Sequence, residues 1–127
     1  MADRGRRKRR RLSRSGEFDR VYREGRSHAS RHLVVYAFPR SDDEPPRLGV
    51  SVGRKLGGAV ERNRVKRMLR DAFWVHAPTV PTGLDFVIVA RPPAAELARD
   101  GGGEAVEQAL GAILTESGLS TPGEPTP

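Results

Sequence analysis

The sequence predicts an α+β fold: a two-layer α/β sandwich in which a mixed sheet of about four strands carries three helices. Three observations predict it. Apolar residues recur at helical spacing in three separate segments, and strand-like runs of alternating or continuous apolar residues fall between them. The 127 residues are enough for one modest core and too few for two ordinary domains.

Residues 1 to 11 are a block of like charge, expected to be a disordered basic arm, and residues 12 to 117 are read as the single domain. Its first helix takes Ser15 as N-cap and runs through EFDRVYRE, with Phe18, Val21 and Tyr22 at i, i+3 and i+4 as its apolar stripe. Gly25, expected to supply a permissive backbone, stops it. RHLVVYAF, residues 31 to 38, is rich in β-branched and aromatic residues and reads as a strand ending at Pro39. After the turn SDDEPP, RLGVSVG (47 to 53) alternates, with Leu48, Val50 and Val52 on one face and Gly49, Ser51 and Gly53 on the other. That second face is nearly bare, which fits an edge strand or bulge, or a floor against which a ligand lies.

KLGG, residues 55 to 58, is a loop leading into a basic helix of about residues 59 to 75. On a helical wheel Val65, Met68, Leu69, Ala72 and Phe73 share one apolar sector, while Asn63, Lys66, Arg67, Arg70 and Trp74 share the opposite one. A solvated helix face usually alternates its charges, and this one does not, so it suits a phosphate backbone. LDFVIVA, residues 84 to 90, is continuously apolar, as in a central strand covered on both faces. EAVEQALGAILTES, residues 104 to 117, places Val106, Leu110, Ile113 and Leu114 at helical spacing, and residues 118 to 127 form a Pro-rich tail expected to be disordered.

The net charge of +7 is unevenly spread. Residues 1 to 14 hold eight basic residues and one acid, residues 53 to 70 seven basic and one acid, and residues 71 to 127 two basic and eight acidic. A basic arm, a basic middle and an acidic end are the footprint of a polyanion binder. The absence of cysteine excludes disulfides and thiolate metal sites, and no apolar run approaches a membrane span. No apolar segment follows the basic start, so no secretory signal is read and the expected location is the cytoplasm. Metal-assisted hydrolysis needs clustered carboxylates or histidines, yet His28, His32 and His76 lack ligand spacing and no phosphate loop of known spacing occurs. The chain reads as a binder without an active site of its own.

RLSRSGEFDRVYREG, LGVSVGRKLGGAVERNRVKRMLRDAF and DFVIVARPPA, in that order, resemble the protein subunit of bacterial ribonuclease P over about residues 11 to 95. The signature is Arg62, Asn63 and Arg64, with Lys66, Arg67 and Arg70 following; the chain departs from the family pattern at Gly58, where Asn is usual. The resemblance implies a large catalytic RNA as partner and precursor tRNA as substrate, cleaved to release the 5′ leader. It implies that Mg2+ is bound mainly by the RNA, and that no membrane or obligate protein partner is needed. It assigns Arg54, Lys55, Arg62, Asn63, Arg64, Lys66, Arg67 and Arg70 to the catalytic RNA, and Phe18, Tyr22 and Tyr36 to the single-stranded leader. From the residues alone these aromatics are either core or stacking surfaces. The resemblance also implies a left-handed crossover from strand 47 to 53 through the basic helix to strand 84 to 90, against the general handedness rule.

The competing class is a structural ribosomal protein, which would share the basic arm and the two-layer sheet without needing a single-strand cleft. A peripheral membrane protein with a polybasic anchor would need a lipidation signal or an inserting helix, and a protein-only nuclease would need metal ligands.

Overall fold

The structure, a computed structural model, describes residues 10–12 and 15–119. Among the described residues eight strands and α-helices follow in chain order: β1 (Arg10–Arg11), α1 (Ser15–Glu24), β2 (Arg26–Ala29), β3 (Leu33–Pro39), β4 (Arg47–Val52), α2 (Ala59–His76), β5 (Leu84–Ala90) and α3 (Pro93–Glu116). The strands form one mixed sheet in the order β1-β4-β5-β3-β2, with β5 parallel to β4 and antiparallel to β3. The four longer strands match the expected number. β1 adds a two-residue pairing that begins inside the segment read as a free arm, Arg10 beside Arg47 and Arg11 beside Leu48. Residues 1 to 9, and the tail from residue 120, lie outside the described residues.

Strand alternation sends Leu33, Val35, Ala37, Leu48, Val50, Val52, Phe86, Ile88 and Ala90 to one face, where they form the main core with Val65, Leu69 and Phe73 of α2 and Leu110 and Leu114 of α3. Val87 points the other way and meets Leu12 and Val21, a smaller cluster under α1. β5 is therefore covered on both sides, which explains its unbroken apolar run. The basic helix buries the expected face and ends at His76, whose ring is held against the Glu107 carbonyl oxygen at 3.0 Å. Trp74, placed by the wheel on the exposed stripe, instead packs on the core edge-on to Phe73, with centroids 4.9 Å apart. With α3 laid beside α2, the buried sector is wider than one apolar stripe.

Two elements exceed the sequence reading. β2 pairs antiparallel with β3 from Arg26 beside Ala37 to Ala29 beside Val34. Arg31 and His32 are turn residues, and Ser30 Oγ accepts the amides of His32 and Leu33 at 3.3 and 3.2 Å. α3 begins eleven residues earlier than the spacing of its apolar positions indicated, as two helical stretches meeting at Gly102, where φ is 68°. Gly25 does end α1, though its role differs from the expectation. A Cβ there would lie 2.6 Å from the Val21 oxygen and 2.7 Å from the Ala37 oxygen, so glycine permits close approach of backbone to backbone.

Candidate nucleic-acid interface

Cations gather on α2 because the helix spends its apolar residues inward and has almost no acid to set beside them. Asn63, Arg64 and Arg67 are exposed, and Arg62, Lys66 and Arg70 are half-buried. Glu61, one of the helix's two acids, faces Arg99 of α3 at 3.9 Å. Among the described residues none of Arg62, Arg64, Lys66, Arg67 and Arg70 takes part in an ion pair. Burial, then the neighbouring charge of Arg11, pushes the Arg70 guanidinium below its ordinary pKa. An anion set between them would relieve that repulsion. Arg62 Nε is buried and donates to nothing among the described residues.

Arg54 and Lys55 lie just before α2, exposed on a single 3-10 turn whose third residue, Leu56, is buried and anchors it. Gly57, at φ 133°, makes the bend that a side chain would resist, and Gly58 stands at the N-cap with no side-chain hydrogen bond. All eight residues assigned to the catalytic RNA lie on α2 or on the turn that precedes it.

A second surface lies across the sheet. Phe18 and Tyr22 of α1 have ring centroids 6.4 Å apart, and Tyr22 meets Tyr36 of β3 edge-on at 4.9 Å. Tyr22 is 37% exposed and Tyr36 half-buried, so the pair offers ring surface to solvent. Phe18 is more deeply committed to packing, and a Cβ on Gly49 would come within 2.5 Å of its Cζ. The bare strand face is therefore bare for a different reason than a ligand: Gly49 makes room for Phe18. The open floor begins one register row further on, where Val34, Val89 and Ser51 stand beside one another half-buried. Two residues of this shelf went unassigned in the sequence. Phe38, two positions from Tyr36 on the same face, lies under the Arg20 guanidinium at 5.4 Å from the ring centroid. Gly49→Ala is expected to swing Phe18 off the sheet and lower stability by about 1 to 3 kcal/mol. Denaturation of the variant in a Phe18→Ala background checks it, because with the ring gone the added methyl should cost almost nothing.

Beside the shelf lies a buried carboxylate. Asp85 is 2% exposed, and its Oδ1 accepts from Arg40 Nη1 and Arg47 Nε at 2.8 Å each, its Oδ2 from Arg47 Nη2 at 2.7 Å. Arg47 Nη1 continues to Glu17 Oε2 on α1 at 3.0 Å. Hydrogen bonding to Asp85 raises the pKa of Arg47 despite its burial; Arg40, where burial pulls the other way, is raised by Asp42 and Asp85 together.

Among the described residues no group of three or more His, Asp or Glu side chains gathers to hold a metal, and no helix is long and apolar enough to cross a membrane. A small α+β domain with an unpaired cationic helix on one sheet face and a half-open aromatic shelf on the other is of the RNA-binding class. The family model described as Ribonuclease P matches residues 7–114. Over 112 residues, 88% of this chain and 94% of the relative, it is 38% identical to a ribonuclease P protein component of Bacillus cereus; over 87 residues, 68% and 73%, it is 46% identical to that of Halalkalibacterium halodurans. The solved Staphylococcus aureus RNase P protein superposes with a TM-score of 0.77 at 33% identity, covering 87% of this chain and 96% of that one. The chain belongs to the ribonuclease P protein family, as an RNA-binding component of the endoribonuclease that matures tRNA 5′ ends. These matches set the ribosomal-protein alternative aside.

Proposed function

We propose that the chain grips two RNAs at once. Arg54, Lys55, Arg62, Asn63, Arg64, Lys66, Arg67 and Arg70 take the backbone of the catalytic RNA, and Phe18, Tyr22 and Tyr36 hold the single-stranded 5′ leader of a precursor tRNA. The observation that carries this reading is the sheet itself: α2 packs on one face and α1 on the other, so the cationic and aromatic surfaces are separate. Phosphate contacts need charge and little shape, and stacking of a flexible strand needs flat rings without base-specific partners. Arg20, stacked on Phe38, adds a cation beside the rings for the leader backbone.

Bond cleavage belongs to the RNA partner in this reading, with magnesium held there. Among the described residues no cluster of donors fits a metal centre, and the part left to the protein is to bind and orient. No obligate protein partner is proposed, and the site of action is the cytoplasm, where precursor tRNA and the catalytic RNA meet.

Rigorously RNA-free protein with magnesium is expected to leave precursor tRNA intact, and addition of the cognate catalytic RNA to restore cleavage at low magnesium, since a cationic subunit lowers the cost of bringing two polyanions together. Gel-resolved cleavage of a 5′-labelled precursor is the measurement. Sustained cutting by the protein alone would overturn the proposal.

A further inference from the structure

We infer that Glu17 and Arg47 are positioning residues that fix the seat of α1 on the sheet and thereby the geometry of the aromatic shelf; this rests on the leader-binding reading above. The clamp runs from the sheet interior outward. Asp85, on central strand β5, is buried and binds Arg47 through two parallel N–H···O contacts of 2.8 and 2.7 Å. Such a fork leaves little freedom to the guanidinium. Its remaining nitrogen donates to Glu17 Oε2 at 3.0 Å, in the first turn of α1 and one residue before Phe18. Two residues beyond Arg47, on the same strand face, Gly49 receives the Phe18 ring. Phe18 and Tyr22 are thus held at one end by an ion pair and beneath by a glycine. Val21, fully buried, supplies adhesion but little orientation, because apolar burial is non-directional.

The clamp has an acid at the edge of a surface that is read as taking a polyanion. Charge alone would make Glu17 unfavourable there, and its neutralisation would tighten RNA binding. A positioning role predicts the opposite sign, which makes the two effects separable.

The test uses holoenzyme reconstituted from the full-length chain and its catalytic RNA, with affinities measured for precursors carrying leaders of one and of several nucleotides. Glu17→Gln, and separately Arg47→Lys, which keeps a cation beside Asp85 but cannot fork, are expected to weaken binding of the longer leader about three- to tenfold. Binding of the one-nucleotide leader should stay level. In a Tyr22→Leu background Glu17→Gln should cost clearly less than it does alone, because one of the rings it orients is gone. Tighter binding, unchanged binding, or full additivity with Tyr22→Leu overturns the inference. So does a uniform loss for both leaders together with a lowered thermal midpoint, which marks a purely structural pair. If Tyr22→Leu alone leaves the leader-length dependence intact, the shelf does not bind leader and this inference falls with that reading; if Tyr22→Leu has its effect and Glu17→Gln has none, only the inference fails.

Discussion

Asp85→Ala is expected to remove about 3 to 5 kcal/mol of folding free energy, the loss typical when one partner of a buried charge network is deleted. The carboxylate side chain is 3% exposed and that of Arg40 8%, so the abandoned Arg40 guanidinium cannot turn to water without moving the loop that carries it. Arg40 does more than balance a charge: its Nη2 donates to the carbonyl oxygens of Glu44 and Pro45 at 2.8 and 3.0 Å, pinning the loop from β3 to β4. The loss should therefore exceed that of an exposed pair, which is about 0 to 1 kcal/mol. Urea denaturation with an unchanged m-value is the measurement. A loss within the exposed-pair range would mean that water reaches the carboxylate in solution.

The second large effect separates the two RNA surfaces. Arg67→Ala with Arg70→Ala should weaken assembly with the catalytic RNA and flatten its salt dependence by about 0.7 to 0.9 log units per lost phosphate contact. Folding should be spared, since Arg67 is exposed and Arg70 is half-buried with its charge disfavoured by that burial and then by Arg11. Tyr22→Leu with Tyr36→Leu should act elsewhere. It keeps most of the apolar volume and removes stacking worth about 1 to 3 kcal/mol per base, or about 5- to 150-fold in affinity for a leader-bearing precursor. Affinity for mature tRNA and assembly with the catalytic RNA should hold. Filter binding of precursor and mature tRNA by each holoenzyme reads both effects; tyrosine variants that lose no leader-length dependence would make those rings ordinary core.

Much of this was legible where one periodicity dominates. Val65, Leu69, Ala72 and Phe73 repeat at helical spacing and are buried together, and LDFVIVA reads as the central strand it is. The sequence failed where backbone rather than side chains decides. RSHA has no apolar alternation, and β2 exists because its main chain pairs with β3 and Ser30 closes the turn. In ARDGGGEAV three glycines look like a loop, yet only Gly102 leaves the helical backbone, and Ala94 and Ala98 one turn apart bury their methyls in the core. The candidate site was half visible. Its cations and rings could be named from the sequence, but the clamp could not, because Glu17, Arg40, Arg47 and Asp85 look ordinary one by one and are joined only by the sheet. A single clue was present: an acid inside a run that must be covered on both faces needs buried partners.

The strand order carries a consequence for synthesis. β3 and β4 follow one another in the chain but do not touch; each pairs with β5, which inserts between them. Until residue 90 has left the ribosome, a hairpin of β2 and β3 and the stub of β1 on β4 are all the sheet that can exist, with two apolar strand edges open and Asp85 not yet available to seat α1. Such non-local closure is slow and exposes edges that aggregate. The basic segment is therefore complete by residue 76, before the chain owns a finished sheet, and the seat of the aromatic shelf on that sheet waits for β5 to residue 90.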